Sequence, residues 1–409
     1  MSSEQVAVSK RIIFFSLILY TANLGLFAQG LTFSGLLDSS VSLRAGAVDS
    51  PAFSYGVEEF ANIRMQAKLK DSATFYGAFN FIAAAGDYAA AVEQMGGFIL
   101  STQPHTGVSP TSYADGVNYI AAMELERLYF RLNGESVDLD GGLMRLPFGY
   151  GQIWGSSDFL NPKNPLKPDA RPRAVLGAGL SWYPNDDLKL LGFGAAPRNP
   201  FEQSGEGGLT GISMERHWDK ASLQALYSFE SPAYGSDQGI HRAGISVKAD
   251  LEVGLVMDAL YVYNHEAWTE IDGLSFSLGA DYSFLDGNLI VLAEYLYNGV
   301  SSSTAAGFSN ENYLYTGFTW RFNDYTNVTI ALISCFDDVS FTPVVSLNHD
   351  LFQGATLTVT AQAPLDRDLF SGDGNRGELG PIPPDRLQPL LPERFGHYFD
   401  LSAKLRLRF

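Results

Sequence analysis

From about residue 30 onward the chain alternates apolar and polar residues in short runs. The last twelve residues, Tyr398 to Phe409, show it most cleanly. Phe399, Leu401, Ala403, Leu405, Leu407 and Phe409 are apolar, while Tyr398, Asp400, Ser402, Lys404, Arg406 and Arg408 are polar. A period of two puts one set on each face of a β-strand. Eighteen such segments can be marked, near 31–47, 58–70, 73–84, 118–132, 136–147, 173–184, 187–196, 210–218, 220–230, 240–250, 253–264, 273–285, 288–298, 311–322, 326–336, 340–350, 354–364 and 396–409. Most are 9 to 15 residues long, and about 9–11 residues of tilted strand cross a bilayer.

The connections alternate in length. Short ones fall at Asp71-Ser72, Asn133–Glu135, Asn185-Asp186, Asp219, Leu251-Glu252, Asp286-Gly287, Asn323–Tyr325 and around Gln353. Asp-Gly and similar steps are hairpin-turn chemistry. Long ones include 85–117, 148–172 and 365–395. Short turns at one end and long loops at the other are the organisation of a transmembrane barrel. The pattern therefore predicts an all-β, antiparallel, up-and-down transmembrane β-barrel of about 18 strands, with 16 the next choice. An even count places both termini at the short-turn end. The competing fold is a soluble secreted β-sandwich, but its terminal strand would fray into water rather than end on an aromatic.

Composition agrees with this and narrows the class. Mean hydropathy is close to zero, as expected where oily and polar residues cancel along each strand. One cysteine, Cys335, excludes an internal disulfide. It lies in a stretch apolar on both faces and reads as a packing residue. The formal charge of −18 argues against a nucleic-acid partner. At the N-terminus, Lys10 and Arg11 precede an apolar run from Ile12 to Phe27, closed by Ala28. This predicts a secretory signal peptide over 1–28 and a barrel over 29–409. The alternative, a membrane anchor, needs a longer and less interrupted run. Little sequence separates Gln29 from the first strand, which leaves no room for a plug domain. A plugless barrel of this size encloses an aqueous channel.

The least generic stretch runs from Gly141 to Arg173, GGLMRLPFGYGQIWGSSDFLNPKNPLKPDARPR. Pro147 closes the strand, and Pro162, Pro165, Pro168 and Pro172 stiffen the loop that follows. A stiff loop of this length, near 148–172, is a candidate constriction folded into the lumen. Trp154-Gly155, Asp158 and Asn161-Pro162, with Arg145 on the preceding strand, resemble the WG…D…NP signature of porin-like outer-membrane families of Gram-negative bacteria. Leu146-Pro147-Phe148 is instead similar to anion-selective porins. The terminal strand ending in Phe409 resembles the C-terminal strand that serves those barrels as an assembly signal. The resemblance implies a porin-like barrel in the cell outer membrane. It also implies the barrel assembly machinery as a partner of the last strand.

Candidate constriction residues are Arg145, Trp154, Asp158, Lys163, Lys167, Arg171 and Arg173. Their excess of positive charge has two readings, an eyelet that attracts anions or a solvated loop that meets lipopolysaccharide. Alternation assigns the lumen wall. Lys404, Arg406 and Arg408 stand beside Arg44, Arg64, Lys68 and Lys70 as a basic arc. Glu124, Glu126, Asp138 and Asp140, with Arg131, follow, and then Arg242, Lys248, Asp258, Asp281 and Glu294. Opposed charged walls give a transverse field that sorts polar solutes. A lumen lined by chance with polar groups is the plainer alternative, and a single bulge would invert a strand's faces.

Chemistry of other kinds finds little support. The six histidines, including His217, have no metal-binding spacing and no cysteine partner. Asp366, Asp368, Asp373, Asn375 and Glu378 crowd one loop without EF-type spacing. No nucleophile–base pair stands out, so no catalytic residue, metal or cofactor is expected. The sequence predicts a porin that passes small hydrophilic solutes by diffusion. The other partners expected are outer-membrane lipid and lipopolysaccharide, with a homo-oligomer left open. The alternatives are a surface adhesin on a barrel stalk and, third, an outer-membrane hydrolase.

Overall fold

Antiparallel pairing runs unbroken around a ring. The computed structural model describes residues 30–45, 53–70, 72–86, 98–104, 119–161, 163, 172, 174–196, 207–232, 239–264, 273–299, 310–337, 339–365 and 399–409. Its strands are β1 (Gly30–Ala45), β2 (Phe53–Lys70), β3 (Ala73–Gly86), β4 (Phe98–Pro104), β5 (Tyr119–Asn133), β6 (Val137–Met144), β7 (Val175–Asn185), β8 (Leu188–Ala196), β9 (Leu209–Trp218) and β10 (Ala221–Glu230). They continue with β11 (Ile240–Asp250), β12 (Gly254–Asn264), β13 (Leu274–Phe284), β14 (Leu289–Asn298), β15 (Asn312–Asn323), β16 (Thr326–Cys335), β17 (Ser340–Phe352), β18 (Ala355–Gln362) and β19 (Phe399–Arg408).

Eighteen of these form the wall, each paired with its neighbour in the chain, and β19 closes on β1. The seam runs from Leu36 opposite Arg408 to Ala45 opposite Phe399. The predicted segments match the wall strands in order. The nineteenth strand, β4, lies in the stretch read from sequence as a loop. It pairs with residues 120–125 of β5, whose opposite edge is held by β3. The β6 pairing covers only residues 128–133 of β5. The extra strand therefore takes up β5 hydrogen bonds that β6 leaves unmade when the chain departs from the wall at Arg145. Phe98–Pro104 has no alternation, so nothing in its pattern announces this.

Register fixes the two faces. On β1, Asp38, Ser40 and Ser42 are buried in the lumen wall, while Phe33, Val41 and Leu43 are exposed outward. Leu180, Trp182, Ile212, Trp218, Leu278, Trp320 and Leu401 continue the exposed apolar band on other strands. In water such a band would be an aggregation hazard; against lipid it is the required surface. Phe399 and Phe409 bracket β19 on its outward face. Ten residues of strand tilted by about 40° rise roughly 26 Å, which matches the hydrocarbon band between two aromatic belts.

The last residue is fixed in place. Gly35 N–H donates to the Phe409 carbonyl at 2.8 Å, and Phe409 N–H donates back at 3.2 Å. The Phe409 ring lies over Gly35, where a Cβ would come within 2.6 Å of it. Glycine at 35 is what lets the terminal aromatic lie flat on the seam.

One irregularity sets the charge pattern of the wall. Phe79 pairs with Leu125 but Ala78 pairs with Arg127, so Glu126 is the extra residue of a β-bulge. Strict alternation carried from Glu124 would turn Arg131 toward lipid. The bulge resets the phase, so that Glu124 and Glu126 face inward above it and Arg131 faces inward below it, paired with Asp140.

Candidate functional site

After Met144 the chain leaves the barrel wall and runs along its inner face. Its first contacts are apolar. Leu146, Phe148 and Leu160 pack with Met144, Val175, Phe193, Ala195, Leu209 and Leu226 on the inner face of β6–β10. Phe148 meets Phe193 at 5.0 Å between ring centroids and stacks on Phe159 at 5.9 Å. Phe159 in turn lies 4.9 Å beneath the Arg242 guanidinium, which is paired with Glu230 at 2.8 Å.

Wall carboxylates then seat the loop by its main chain. Gly149 N–H donates to Gln224 Oε1 at 2.6 Å. The N–H groups of Tyr150 and Gly151 donate to the two oxygens of Asp258 at 2.9 and 2.8 Å. Those of Gln152, Ile153 and Trp154 donate to Glu294 at 2.9, 2.9 and 3.0 Å. Asp258 and Glu294 are fully buried. Five successive backbone donors thus meet two carboxylates, and such charge-assisted bonds are about twice as strong as neutral ones. Two glycines make the close approach feasible. Gly149 has φ +82°, and a Cβ there would lie 2.5 Å from Asp258. A Cβ on Gly151 would lie 2.7 Å from Gly155 N.

Side chains lock the seat. Trp154 is fully buried among Leu296, Tyr313, Ile333 and Cys335, 5.6 Å from the Tyr313 ring. Its indole N–H donates to the Glu294 carbonyl at 3.0 Å. Tyr150 O–H donates to Glu215 at 2.9 Å; burial, then this bond, raises the phenol well above its usual range. Gln152 reaches Asp281 at 2.9 Å, and Ser157 accepts from Ser246 at 3.1 Å. The loop therefore lies along the wall from β7 to β16, and β19, β1, β2 and β3 stand across the ring from it.

The residues behind the WG…D…NP resemblance close the loop on itself. Gly155, at φ +57°, offers its carbonyl to Asp158 N–H at 2.9 Å. Asp158 accepts from Asn161 N–H at 3.2 Å, and Asn161 accepts from Leu146 N–H at 3.0 Å. Lys163 donates to the Gly151 carbonyl. Asp158 is buried, and desolvation pushes its carboxyl up to about 8, against the opposing pull of Lys163 and the backbone N–H groups of Phe148 and Asn161. Trp154 and Asp158, read from sequence as constriction residues, have buried side chains that shape the loop from within. Lys167, Arg171, Arg173, Pro162, Pro165 and Pro168 lie outside the described residues, as do the acidic stretch 366–378 and the signal segment 1–28.

The remainder of the wall, from β19 round to β6, carries mixed charge, and Arg145 at the start of the loop reaches it. Arg406 meets Asp38 at 2.7 Å, Arg44 meets Asp400 at 3.2 Å, Arg131 meets Asp140 at 2.7 Å and Arg145 meets Glu126 at 2.8 Å. Asn62 joins them, donating to Asn80 and to Glu126 at 2.6 Å each and accepting from Arg64 at 2.8 Å. Asn80 donates to Glu124 at 2.8 Å. The arc read as basic is thus a lattice of cations interleaved with carboxylates. Lys68 and Lys404 also point inward by register. The alternation placed Asp258, Asp281 and Glu294 on the lumen wall as part of a transverse field, whereas Asp258 and Glu294 are buried beneath the loop and bond its main chain. Their function as seats for a loop more than a hundred residues away leaves no local signal.

Compared by sequence, the chain matches no family model and no curated protein. Compared by structure, it is similar to the outer membrane protein opdK from Pseudomonas aeruginosa, at 8% identity and TM-score 0.53 over 94% of this chain and 99% of that one. It is also similar to Pseudomonas aeruginosa OccK9, at 10% identity and TM-score 0.53 over 94% and 100%. Acinetobacter baumannii OccAB4 matches at 12% identity and TM-score 0.52 over 93% and 98%. At such identities the likeness speaks for fold alone: the chain is a closed, antiparallel, eighteen-stranded barrel, the architecture it shares with these three bacterial proteins.

Proposed function

We propose that this protein is an outer-membrane porin that passes small hydrophilic solutes by diffusion through a lumen narrowed by the loop at 145–174. The observation that carries this is the seat of the loop. It is pinned along one side of the wall, β7 to β16, by Gln224, Asp258 and Glu294, and it faces the charged arc of β19, β1, β2 and β3. A constriction held at the rim of the passage leaves the remainder to water and solute. The likeness to opdK, described as an outer membrane protein, supports the address. So does the apolar outer band. A signal peptide over 1–28 would deliver the chain to the periplasm, and the strand ending in Phe409 would present it to the assembly machinery.

The charged side chains around the passage would set its preference. Arg145 and Lys163 come from the loop, with Lys167, Arg171 and Arg173 following it in sequence. Arg44, Arg64, Lys68, Lys404 and Arg406, interleaved with Glu124 and Glu126, come from the wall. The test is conductance of the purified full-length protein in planar bilayers. Stepwise, ohmic channel openings are expected; a folded, inserted barrel with no conducting state would overturn the reading.

A further inference from the structure

Inward side chains divide the wall into two kinds of surface. β19, β1, β2 and β5 each carry inward charge, as do β12, β13 and β14 at the seat of the loop. The strands β16, β17 and β18 between these sectors do not. Among the described residues, register gives them only uncharged inward side chains, apart from Asp350 at the short-turn end of β17.

The centre of this sector is a fabric of hydroxyls and amides. Thr329 faces Ser346 across β16 and β17, and Asn327 faces Asn348. The hydroxyls of Ser346 and Thr360 bond at 2.6 Å, and those of Thr329 and Thr319 of β15 at 2.9 Å. Thr358 Oγ1–H donates to Asn348 Oδ1 at 2.7 Å, and Asn348 Nδ2 donates to Asn327 Oδ1 at 3.1 Å. These bonds fix where each group points without using it up. Each hydroxyl pair spends one of its two protons, and an amide carries two N–H donors and two lone pairs. The side chains are half-buried, so donors and acceptors stand side by side toward the lumen with no charge among them.

An aromatic ring lies at the long-loop side of this band. Tyr315 is inward on β15, at the level of Glu294. It lies over Gly317, where a Cβ would come within 2.9 Å of the ring and 2.8 Å of its hydroxyl. The next inward residue is Thr319, so the ring runs along the wall toward the band. Tyr315 is half-buried at the edge of the Trp154 cluster, where Ile153 of the loop also packs. Ala331 and Val344 carry the level of Gly317 across β16 and β17 as an apolar strip.

We propose that Tyr315 and the uncharged band of β16–β18 form a subsite for a neutral, polyhydroxylated ring, that is, a sugar. This rests on the porin reading above. A pyranose has an apolar C–H face and a rim of hydroxyls, each both donor and acceptor. The wall presents an aromatic face, an apolar strip and then groups that both donate and accept. A charged solute finds its partners on β19, β1, β2 and β5 instead. Tyr315 shares its level with Glu294, which holds the loop, so the subsite begins at the depth of the narrowing and continues toward the short-turn end.

The test uses the full-length protein in planar bilayers with maltose, and with polyethylene glycol of matched size, whose ether oxygens accept but do not donate. Maltose should reduce the ionic current saturably, and the polymer only in proportion to its concentration. Thr329→Val with Ser346→Ala should raise the half-blocking concentration of maltose about tenfold, the loss of two neutral hydrogen bonds. Tyr315→Leu should raise it too, while Tyr315→Phe, which keeps the ring, should retain most of the block. Equal half-blocking concentrations in the parent, the double variant and Tyr315→Leu would overturn the proposal, as would maltose that acts like the polymer. If the variants fail to insert, the two solutes compared on the parent still decide. Ohmic openings without saturable block by maltose sink the subsite alone; a folded, inserted barrel with no openings sinks the porin reading with it.

Discussion

Arg406 and Asp38 stand 368 residues apart in the chain and meet across the closing seam through two parallel bonds, Nε to Oδ1 at 2.8 Å and Nη2 to Oδ2 at 2.7 Å. Both side chains are largely covered, at 18% and 9% exposure. Arg406→Ala would leave a covered carboxylate without its fork. We expect it to lower stability by about 1–3 kcal/mol, below the range for a fully buried pair because the lumen is wet. Asp38→Ala in the same chain should restore part of the loss. Urea unfolding in micelles of the two single variants and the double reads the coupling; a neutral Arg406→Ala would show that backbone pairing alone holds the seam.

The seat of the loop makes a second prediction. Glu294→Ala orphans the N–H groups of residues 152, 153 and 154, each otherwise costing about 1–3 kcal/mol to leave buried and unmet. The loop should then leave the wall and sample the passage. Single-channel traces should become noisy, with frequent brief closures. Trp154→Ala should do the same by removing a fully buried ring, at a cost of about 3–5 kcal/mol. Quiet traces with unchanged conductance in both variants would refute the seat.

Asp158 supplies a pH dependence. Its folded carboxyl is raised to about 8 by burial, against an unfolded value near 4. Between these values the folded loop holds a proton that the unfolded chain has released, so stability from this group is complete below about pH 4 and declines as pH rises to about 8. Amide exchange of residues 148–161 should quicken over that interval, beyond the intrinsic chemistry. Asp158→Asn should flatten the added slope, and an Asn variant with the same slope as the parent would assign the effect elsewhere.

The lattice of wall charges predicts graded selectivity. Lys68→Gln with Lys404→Gln removes two inward cations while leaving the Arg406–Asp38 and Arg44–Asp400 pairs intact. Reversal potentials in a salt gradient should shift toward cations, by a margin that shrinks at high salt as screening shortens its reach. No shift at low salt would place both lysines outside the field that solutes meet.

Most of the wall was legible because a strand in this setting must show one face to lipid and the other to water, and that demand is written every second residue. Tyr398 to Phe409 declares it without help from the remainder of the chain. Three features escaped for one reason. β4 pairs through its backbone, which any sequence can do. The bulge at Glu126 is a count of residues between partners, invisible without the partner. Asp258 and Glu294 face inward as alternation demands, but what they hold comes from 107 and 140 residues away. The resemblance around Trp154, Asp158 and Asn161 marked the right loop. The chemistry it suggested, a lining for solutes, differs from the positions these side chains occupy, which is inside the loop's own fold.

Asp258 and Glu294 grip peptide N–H groups, and every residue except proline has one. The grip itself is therefore blind to side chains, although Gln152 adds its own bond to Asp281 and Ile153 packs against the Trp154 cluster. Substitution at 152 can change the group presented there while the N–H keeps its bond to Glu294. Main chain and side chain of the same residues thus carry separate duties, so in the proposed pore the groups that solutes meet can change while the loop stays where it is.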